Sequence, residues 1–355
     1  MGAQGVLPAA ANGAAVTYKR ARLSVRSRLS SSGTLLRGFN AASVRSPALV
    51  EADYRAVAAY GANLLRIAVT PTLNVSGTAF ELSAADVAYV STAVLMGNRY
   101  SFKVVVVMAP LPGGQLDTYW DRADLKASLV GIWASLATIF KGNRSIAGYD
   151  LLNEPVQPKD RDVPVGSAEY WRPLATDMIT AIRAVDPMAT CIFEPSPYGL
   201  PVGFWPSGVP LVPLPFANVV YSVHFYEPQN VTHQGINGNP APVSYPSGIY
   251  TKQLLSDYAE YVRLFTRAYP TQRVYVGEFS FIRSGSGDSV PTWLADAIDI
   301  FESEGWHWTY HAFREYEGWD AEIELGPLGS PGPRTSSATG IKTLVKNGFS
   351  KKVQP

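Results

Sequence analysis

Apolar residues in this chain gather in short runs rich in Val, Ile and aromatic side chains, and most of these runs are followed by a longer stretch with helical spacing. The short runs fall at roughly 35–40, 63–70, 103–109, 146–153, 190–194, 219–226, 273–279 and 307–313 and read as strands. Amphipathic stretches at about 49–60, 83–99, 122–140, 167–185, 251–268, 289–304 and 335–347 read as helices. Strand and helix in alternation are the mark of βα units around a parallel sheet, and eight strands predict an α/β chain folded as a (β/α)8 TIM barrel. No helix is predicted between the fifth and sixth strands, because 195–216 is rich in Pro, Gly and aromatic residues, Trp205 among them. The segments 227–250 and 316–334 have the same character, and long βα loops of this kind belong at the catalytic face of a barrel. Ahead of the first strand, Val16, Tyr18, Leu23, Val25 and Leu29 alternate with polar positions over 16–32, predicting a short β-hairpin that plugs one end. Residues 16–350 then form one domain, preceded by a disordered or tag-like stretch over 1–15.

Composition narrows the chemistry. A chain of 355 residues with 46% hydrophobic content can bury one large core. Its 30 Lys and Arg against 29 Asp and Glu leave a net charge of +1, which offers no field for nucleic acid or an anionic membrane. The 8 Trp and 19 Tyr supply flat amphipathic faces of the kind a sugar cleft uses, although a large core uses them too. Cys191 stands alone, so an intrachain disulfide and a thiolate metal cluster are both excluded. The start, Met1 to Ala15, lacks a charged leader followed by an apolar run and does not read as an intact signal peptide. No stretch is expected to match a membrane-spanning helix.

Two strand ends carry candidate chemistry. The fourth run, Gly148-Tyr149-Asp150-Leu151-Leu152-Asn153-Glu154-Pro155, delivers an amide and a carboxylate just before a proline ends it. The seventh, Val274-Tyr275-Val276-Gly277-Glu278-Phe279, does the same with a glycine beside the carboxylate. Two glutamates at separate strand mouths are what a retaining glycosidase requires, one protonated to help the leaving oxygen and one ionised to attack the anomeric carbon. The sixth run ends Val223-His224-Phe225-Tyr226, and alternation sends the imidazole and the phenol toward the same interior side.

Asn153-Glu154-Pro155 and Gly277-Glu278, together with Leu36-Arg37-Gly38-Phe39-Asn40 and Trp308-Thr309-Tyr310, resemble glycoside hydrolase family 5, the cellulase-like retaining barrels. The resemblance covers about residues 30 to 345. It implies Glu154 as acid/base, Glu278 as nucleophile and Asn153 as hydrogen-bond partner of the sugar 2-hydroxyl. It also places Arg66, in Asn63-Leu64-Leu65-Arg66-Ile67, beneath the nucleophile, where a guanidinium would favour the ionised carboxylate. By the same resemblance His224 contacts the acid/base and Tyr226 the nucleophile. A β-linked oligo- or polysaccharide is the implied partner, with no cofactor and no metal, in a monomer that is secreted or periplasmic.

The chain departs from the family at two places. A histidine common after the third strand is missing from Val107-Met108-Ala109-Pro110-Leu111-Pro112, and on the eighth strand His311 stands where members present a tryptophan floor. Trp319, in Glu317-Gly318-Trp319-Asp320, is the candidate to swing over instead. These departures leave the catalytic pair intact but open the substrate among β-1,4-glucan, β-mannan, other β-glucans and short β-glucosides. Endo-β-1,4-glucanase action in an open cleft is the favoured reading, with exo-acting β-glucosidase or β-mannosidase, β-mannanase, and a non-catalytic carbohydrate-binding barrel as alternatives. Trp120, Trp171, Trp205 and Trp293 are equally consistent with outer subsites and with packing. Glu194, Glu315, Glu317 and Glu322 are the rival carboxylates, and none has a strand-end amide beside it. The four histidines, His224, His233, His307 and His311, show no metal-binding spacing.

Overall fold

A computed structural model describes residues 29, 33–41, 48–109, 120–156, 171–329, 333–334 and 340–350. Eight parallel strands close into a barrel: β1 (Arg37–Ala41), β2 (Leu64–Val69), β3 (Lys103–Met108), β4 (Ile146–Asp150), β5 (Cys191–Phe193), β6 (Val219–His224), β7 (Arg273–Glu278) and β8 (His307–Phe313). Each strand pairs with its sequence neighbour, and β8 closes on β1 with Arg37 opposite Trp308 and Phe39 opposite Tyr310. Helices α1 (Glu51–Ala59), α2 (Ala84–Tyr100), α3 (Ala123–Phe140), α4 (Trp171–Val185), α5 (Lys252–Ala268), α6 (Ser289–Glu304) and α7 (Gly340–Phe349) lie between and after the strands. All eight predicted strands are found. The β5–β6 crossover is helix-poor as expected, with only the 3-10 turns Pro201–Phe204 and Pro206–Gly208. Two small features have no counterpart in the sequence reading: the two-residue strands Thr72–Leu73 and Phe80–Glu81, and a one-turn helix over Gln229–Thr232.

In α2 and α5 a side-chain cap and an apolar stripe coincide. Ser83 accepts from the Asp86 N–H at the start of α2, and Thr251 accepts from the Leu254 N–H at the start of α5. In α5, Leu255, Ala259, Val262 and Phe265 recur at helical spacing and are buried. One expectation is corrected by α3. Its 18 residues reach a mean hydropathy of 1.3, long and apolar enough to meet the length and composition of a membrane span. In the fold it is a packing helix, with Leu125, Leu129, Ile132, Trp133 and Leu136 buried and Trp133 Nε1 donating to the Leu151 carbonyl at 3.0 Å.

Alternation along the strands divides the barrel interior into an apolar floor and a polar mouth. Leu36, Leu64, Val105, Ala147, Ile192, Val220 and Tyr275 cluster at the floor with Leu29. The hairpin predicted over 16–32 lies outside the described residues except for Leu29, which is fully buried in that cluster. His307 joins it to the barrel: the Leu36 N–H donates to Nδ1 at 2.9 Å, so the proton sits on Nε2, which faces the Leu29 carbonyl at 3.1 Å. Further along the same inward faces come Arg66 on β2, Ser222 and His224 on β6, and Gly277 on β7. Cys191 is buried on β5, and burial pushes its thiol up to about 12, so it serves as a packing residue.

Candidate active site

The polar mouth is organised around one buried arginine. Arg66 Nε donates to Asp150 Oδ2 at 2.8 Å, Nη1 to Glu278 Oε1 at 2.7 Å and Asn40 Oδ1 at 2.9 Å, and Nη2 to Asn153 Oδ1 at 2.9 Å and Glu194 Oε1 at 2.8 Å. A planar fork with fixed donors can serve five acceptors in this way, whereas an ammonium could not. Arg66 therefore lies at the polar mouth and not in an ion pair at the floor. Asn40 in turn donates to the Gly277 carbonyl at 2.7 Å, tying β1 to the strand that carries Glu278.

Glu154 and Glu278 enter this cluster from opposite sides. Glu154 follows β4 with its backbone at a φ of 49°, a left-handed conformation that costs a non-glycine residue roughly 1–2 kcal/mol. Its N–H donates to Glu194 Oε2 at 2.7 Å, which holds the turn, and its side chain remains 32% exposed at the mouth. Glu154 Oε1 lies 2.9 Å from His224 Nδ1. Glu278 ends β7, with Tyr226 Oη donating to its Oε2 at 2.9 Å. Tyr226 lies just past the end of β6, yet it and His224 point into the same site as alternation predicts. Gly277 makes this approach possible, since a Cβ there would stand 2.4 Å from Ser222 Oγ and 3.1 Å from His224 Nε2.

The two glutamates differ in proton affinity. For Glu278, burial favours the neutral acid, but the charges of His224, His311 and Arg66 and the Tyr226 hydroxyl outweigh it and hold the carboxyl below the ordinary carboxylate range. For Glu154, burial dominates, with the negative charges of Glu278 and Glu194 adding to it, and the carboxyl is raised despite the bond to His224. His224 feels burial pulling it down, but Glu194, Glu278 and Glu154 together draw it well above its ordinary value. Oxygens of Glu154 and Glu278 and a nitrogen of His224 all lie within 4.8 Å of one another. That spacing could admit a cation, but Arg66 and a raised His224 already place positive charge between the carboxylates, which suits proton transfer better than metal binding.

The structure brings together Arg66, Asn153, Glu154, His224, Tyr226 and Glu278. It also sets His311 and Trp319 at the rim. His311 Nδ1 is 3.9 Å from Glu278 Oε2, and the Trp319 ring lies 6.3 Å from the His311 ring and 6.1 Å from that of Tyr226. Trp308 faces away, fully buried and stacked on Phe349. A cavity of about 320 Å3 opens here, with Arg66, Asn153, Glu278, His311 and Glu315 in its lining and the small side chains of Ala68 and Ala109 at the ends of β2 and β3. A second cavity, of about 290 Å3, lies at the floor end around Arg273 and His307, away from the carboxylates.

Besides Asn40, two members of the site had no assigned role in the sequence reading. Glu194, treated there as a rival, is fully buried and binds Arg66 and the Glu154 N–H while facing His224 Nε2 at 3.1 Å. Asp150 is equally buried against Arg66. Of the other rivals, Glu317 pairs with Arg283 at 2.5 Å and Glu322 with Arg314 at 2.6 Å, away from the cluster. The unassigned tryptophans are mostly structural: Trp171 is buried, stacks on Phe193 and donates to the Glu194 carbonyl at 2.8 Å, Trp293 donates to the Glu227 carbonyl at 3.1 Å, and Trp120 is buried against Trp171.

Comparison with known proteins bears on this geometry. A family model described as cellulase (glycosyl hydrolase family 5) matches residues 29–317. Endoglucanase C of Acetivibrio thermocellus is 23% identical over 203 residues, which are 56% of this chain and 56% of that protein. Endoglucanase C307 of Clostridium sp. (strain F1) is 22% identical over the same share of each. The chain thus spans about half the length of the curated relatives it matches. Among solved structures, the endoglucanase Cel5A of Thermotoga maritima superposes with a TM-score of 0.68 at 17% identity, covering 81% of this chain and 91% of that one. Cellulose synthase subunit Z of Clostridioides difficile gives 0.70 at 16%, covering 90% and 100%. The Thermotoga enzyme has been solved with cellobiose and with mannotriose.

Proposed function

The chain belongs to glycosyl hydrolase family 5, the cellulase family, and on that premise we propose that it hydrolyses β-glucan chains internally, as an endo-β-1,4-glucanase, with retention at the anomeric carbon. The endoglucanase relatives support the substrate, and one observation carries the mechanism: two carboxyl groups whose oxygens lie within 4.8 Å have surroundings that push their proton affinities apart. That is the arrangement of an acid and a nucleophile on one sugar, with too little room for a water between carboxylate and anomeric carbon.

In this reaction Glu278 Oε2 or Oε1 attacks the anomeric carbon while Glu154 gives its proton to the departing glycosidic oxygen. A covalent glycosyl ester on Glu278 results. Glu154, now ionised, takes a proton from water, and the hydroxide attacks the same carbon and frees Glu278. Arg66 and Tyr226 keep the attacking carboxylate ionised and aimed, Asn153 stands beside it to meet the 2-hydroxyl, and His224 steadies Glu154 through its change of charge. A polymeric glucan substrate would place the enzyme's action outside the cytoplasm.

Hydrolysis of β-1,4-glucan, β-1,3-glucan, mannan and aryl β-glycosides, measured side by side, tests the substrate. Preference for β-1,4-glucan with products of several lengths is expected; a preference for mannan, or release of single sugars only, would replace the endoglucanase assignment. Glu278→Ala should abolish hydrolysis of an activated aryl β-glycoside and recover turnover with azide, giving the α-glycosyl azide. Absence of rescue counts against Glu278 as nucleophile.

A further inference from the structure

The end of β8 holds a polar pair to which double displacement assigns no contact with the sugar. His311 Nδ1 has neither solvent contact nor a hydrogen-bond partner among the described residues, although its side chain is 17% exposed and lines the cavity. It stands 3.9 Å from Glu278 Oε2 and 4.0 Å from Glu315 Oε2. Facing two carboxylate oxygens, that nitrogen is better placed carrying the ring proton than a lone pair. Both gaps exceed a direct hydrogen bond, and each can be bridged by a single oxygen atom. The ring is held by packing, since Trp319 backs it at 6.3 Å and is itself braced by His233 at 5.0 Å. Glu315 follows the strand on a bend and its side chain is 31% exposed, so it is the member able to shift when a ligand arrives.

We propose that His311 and Glu315 form a hydroxyl-reading pair: Nδ1–H donates to one hydroxyl of the sugar seated over Glu278, and the Glu315 carboxylate accepts from that hydroxyl. The inference rests on the glycosidase reading and adds the feature by which this cleft selects its sugar. An indole floor stacks on any sugar face, whereas a donor and an acceptor at fixed positions reject an analogue lacking the hydroxyl, because both groups are then left buried and unpaired. Small side chains at Ala68 and Ala109 leave room for the ring to settle low enough to reach the pair.

The test is a hydroxyl scan. With 4-nitrophenyl β-glucoside and its 3-, 4- and 6-deoxy analogues, wild type should lose about 10- to 100-fold in kcat/KM for one deoxy substrate beyond the loss for the others. That selective loss should disappear in His311→Phe and Glu315→Leu and persist largely in His311→Gln, which keeps an N–H donor. A purely structural role would lower all substrates by one factor, and that result overturns the proposal. A second arm needs no turnover: calorimetry of cellotriose on Glu278→Gln, with and without His311→Phe, should show binding weakened about 10- to 100-fold by the second change. Equal binding, or none in either variant, also overturns it. A wild type that hydrolyses no β-glycoside would sink the hydrolase reading, while the cellotriose measurement would still decide on His311.

Discussion

Replacing Arg66 with lysine keeps the positive charge under Glu278, the proposed nucleophile, and removes the fork that distributes it. Five hydrogen bonds leave three nitrogens of Arg66 for Asp150, Asn40, Glu278, Asn153 and Glu194. One ammonium has three protons and reaches in one direction, so at least two of these buried acceptors lose their partner. Hydrogen bonds to charged groups contribute about 1.5–3 kcal/mol each, and breaking a buried ion pair costs about 3–5 kcal/mol. With an unfolding entropy of about 2.1 cal/mol/K per residue, a 355-residue chain should lose roughly 4–7 °C of Tm. Loss of the Glu278 contact alone should lower kcat/KM on an aryl β-glucoside by about 10- to 100-fold. Arg37→Lys is the control. It also breaks a buried fork, with Nε and Nη2 donating to the two oxygens of Glu302 at 2.7 and 2.6 Å, but between β1 and α6, away from the carboxylate cluster. That variant should lose stability and keep kcat/KM within about twofold. Thermal unfolding and initial rates on the two variants decide the matter; Arg66→Lys retaining wild-type kcat/KM, or Arg37→Lys losing as much, would refute the reasoning.

The proposed double displacement requires Glu278 ionised and Glu154 protonated, so the pH–rate profile should be a bell whose acid limb falls below the ordinary carboxylate range and whose alkaline limb lies above it. His224 lowers both carboxyls, Glu278 by its charge and Glu154 by its hydrogen bond, so His224→Asn should move both limbs to higher pH; limbs that stay put while the rate falls would contradict the assignment. Gly277→Ala forces a methyl to within 2.4 Å of Ser222 Oγ and against His224. It should destabilise by about 1–3 kcal/mol and lower kcat, and a variant with unchanged Tm and kcat would show that the strand can move aside.

Much of this architecture was legible because burial leaves a period in the sequence. Runs such as Lys103–Met108 and Val219–His224 are buried on both faces and read as continuous apolar strands. The two candidate glutamates stood out in the sequence because each interrupts such a run at its end. Glu194 was harder to place: β5 is only three residues long, and the Pro-rich segment after it hides the strand's direction. Asp150 did carry a signal. A carboxylate inside an apolar strand must be paired, and Arg66 inside β2 poses the same demand, so the two could have been matched by burial alone. Tryptophans such as Trp171 and Trp293 could not be sorted, because stacking on a sugar and stacking on Phe193 or Phe225 ask the same of a side chain. The short strands at Thr72–Leu73 and Phe80–Glu81 are too brief to leave a period at all.

Double displacement by Glu278 and Glu154 on one sugar would fix which anomer is released first. Proton NMR of the first product formed from a β-1,4-glucan oligosaccharide tests it most directly, with spectra recorded before the anomers equilibrate. The β-anomer signal should appear first, with the α-anomer growing in only by mutarotation. Initial appearance of the α-anomer would mean single displacement by water and would contradict the roles given to both glutamates.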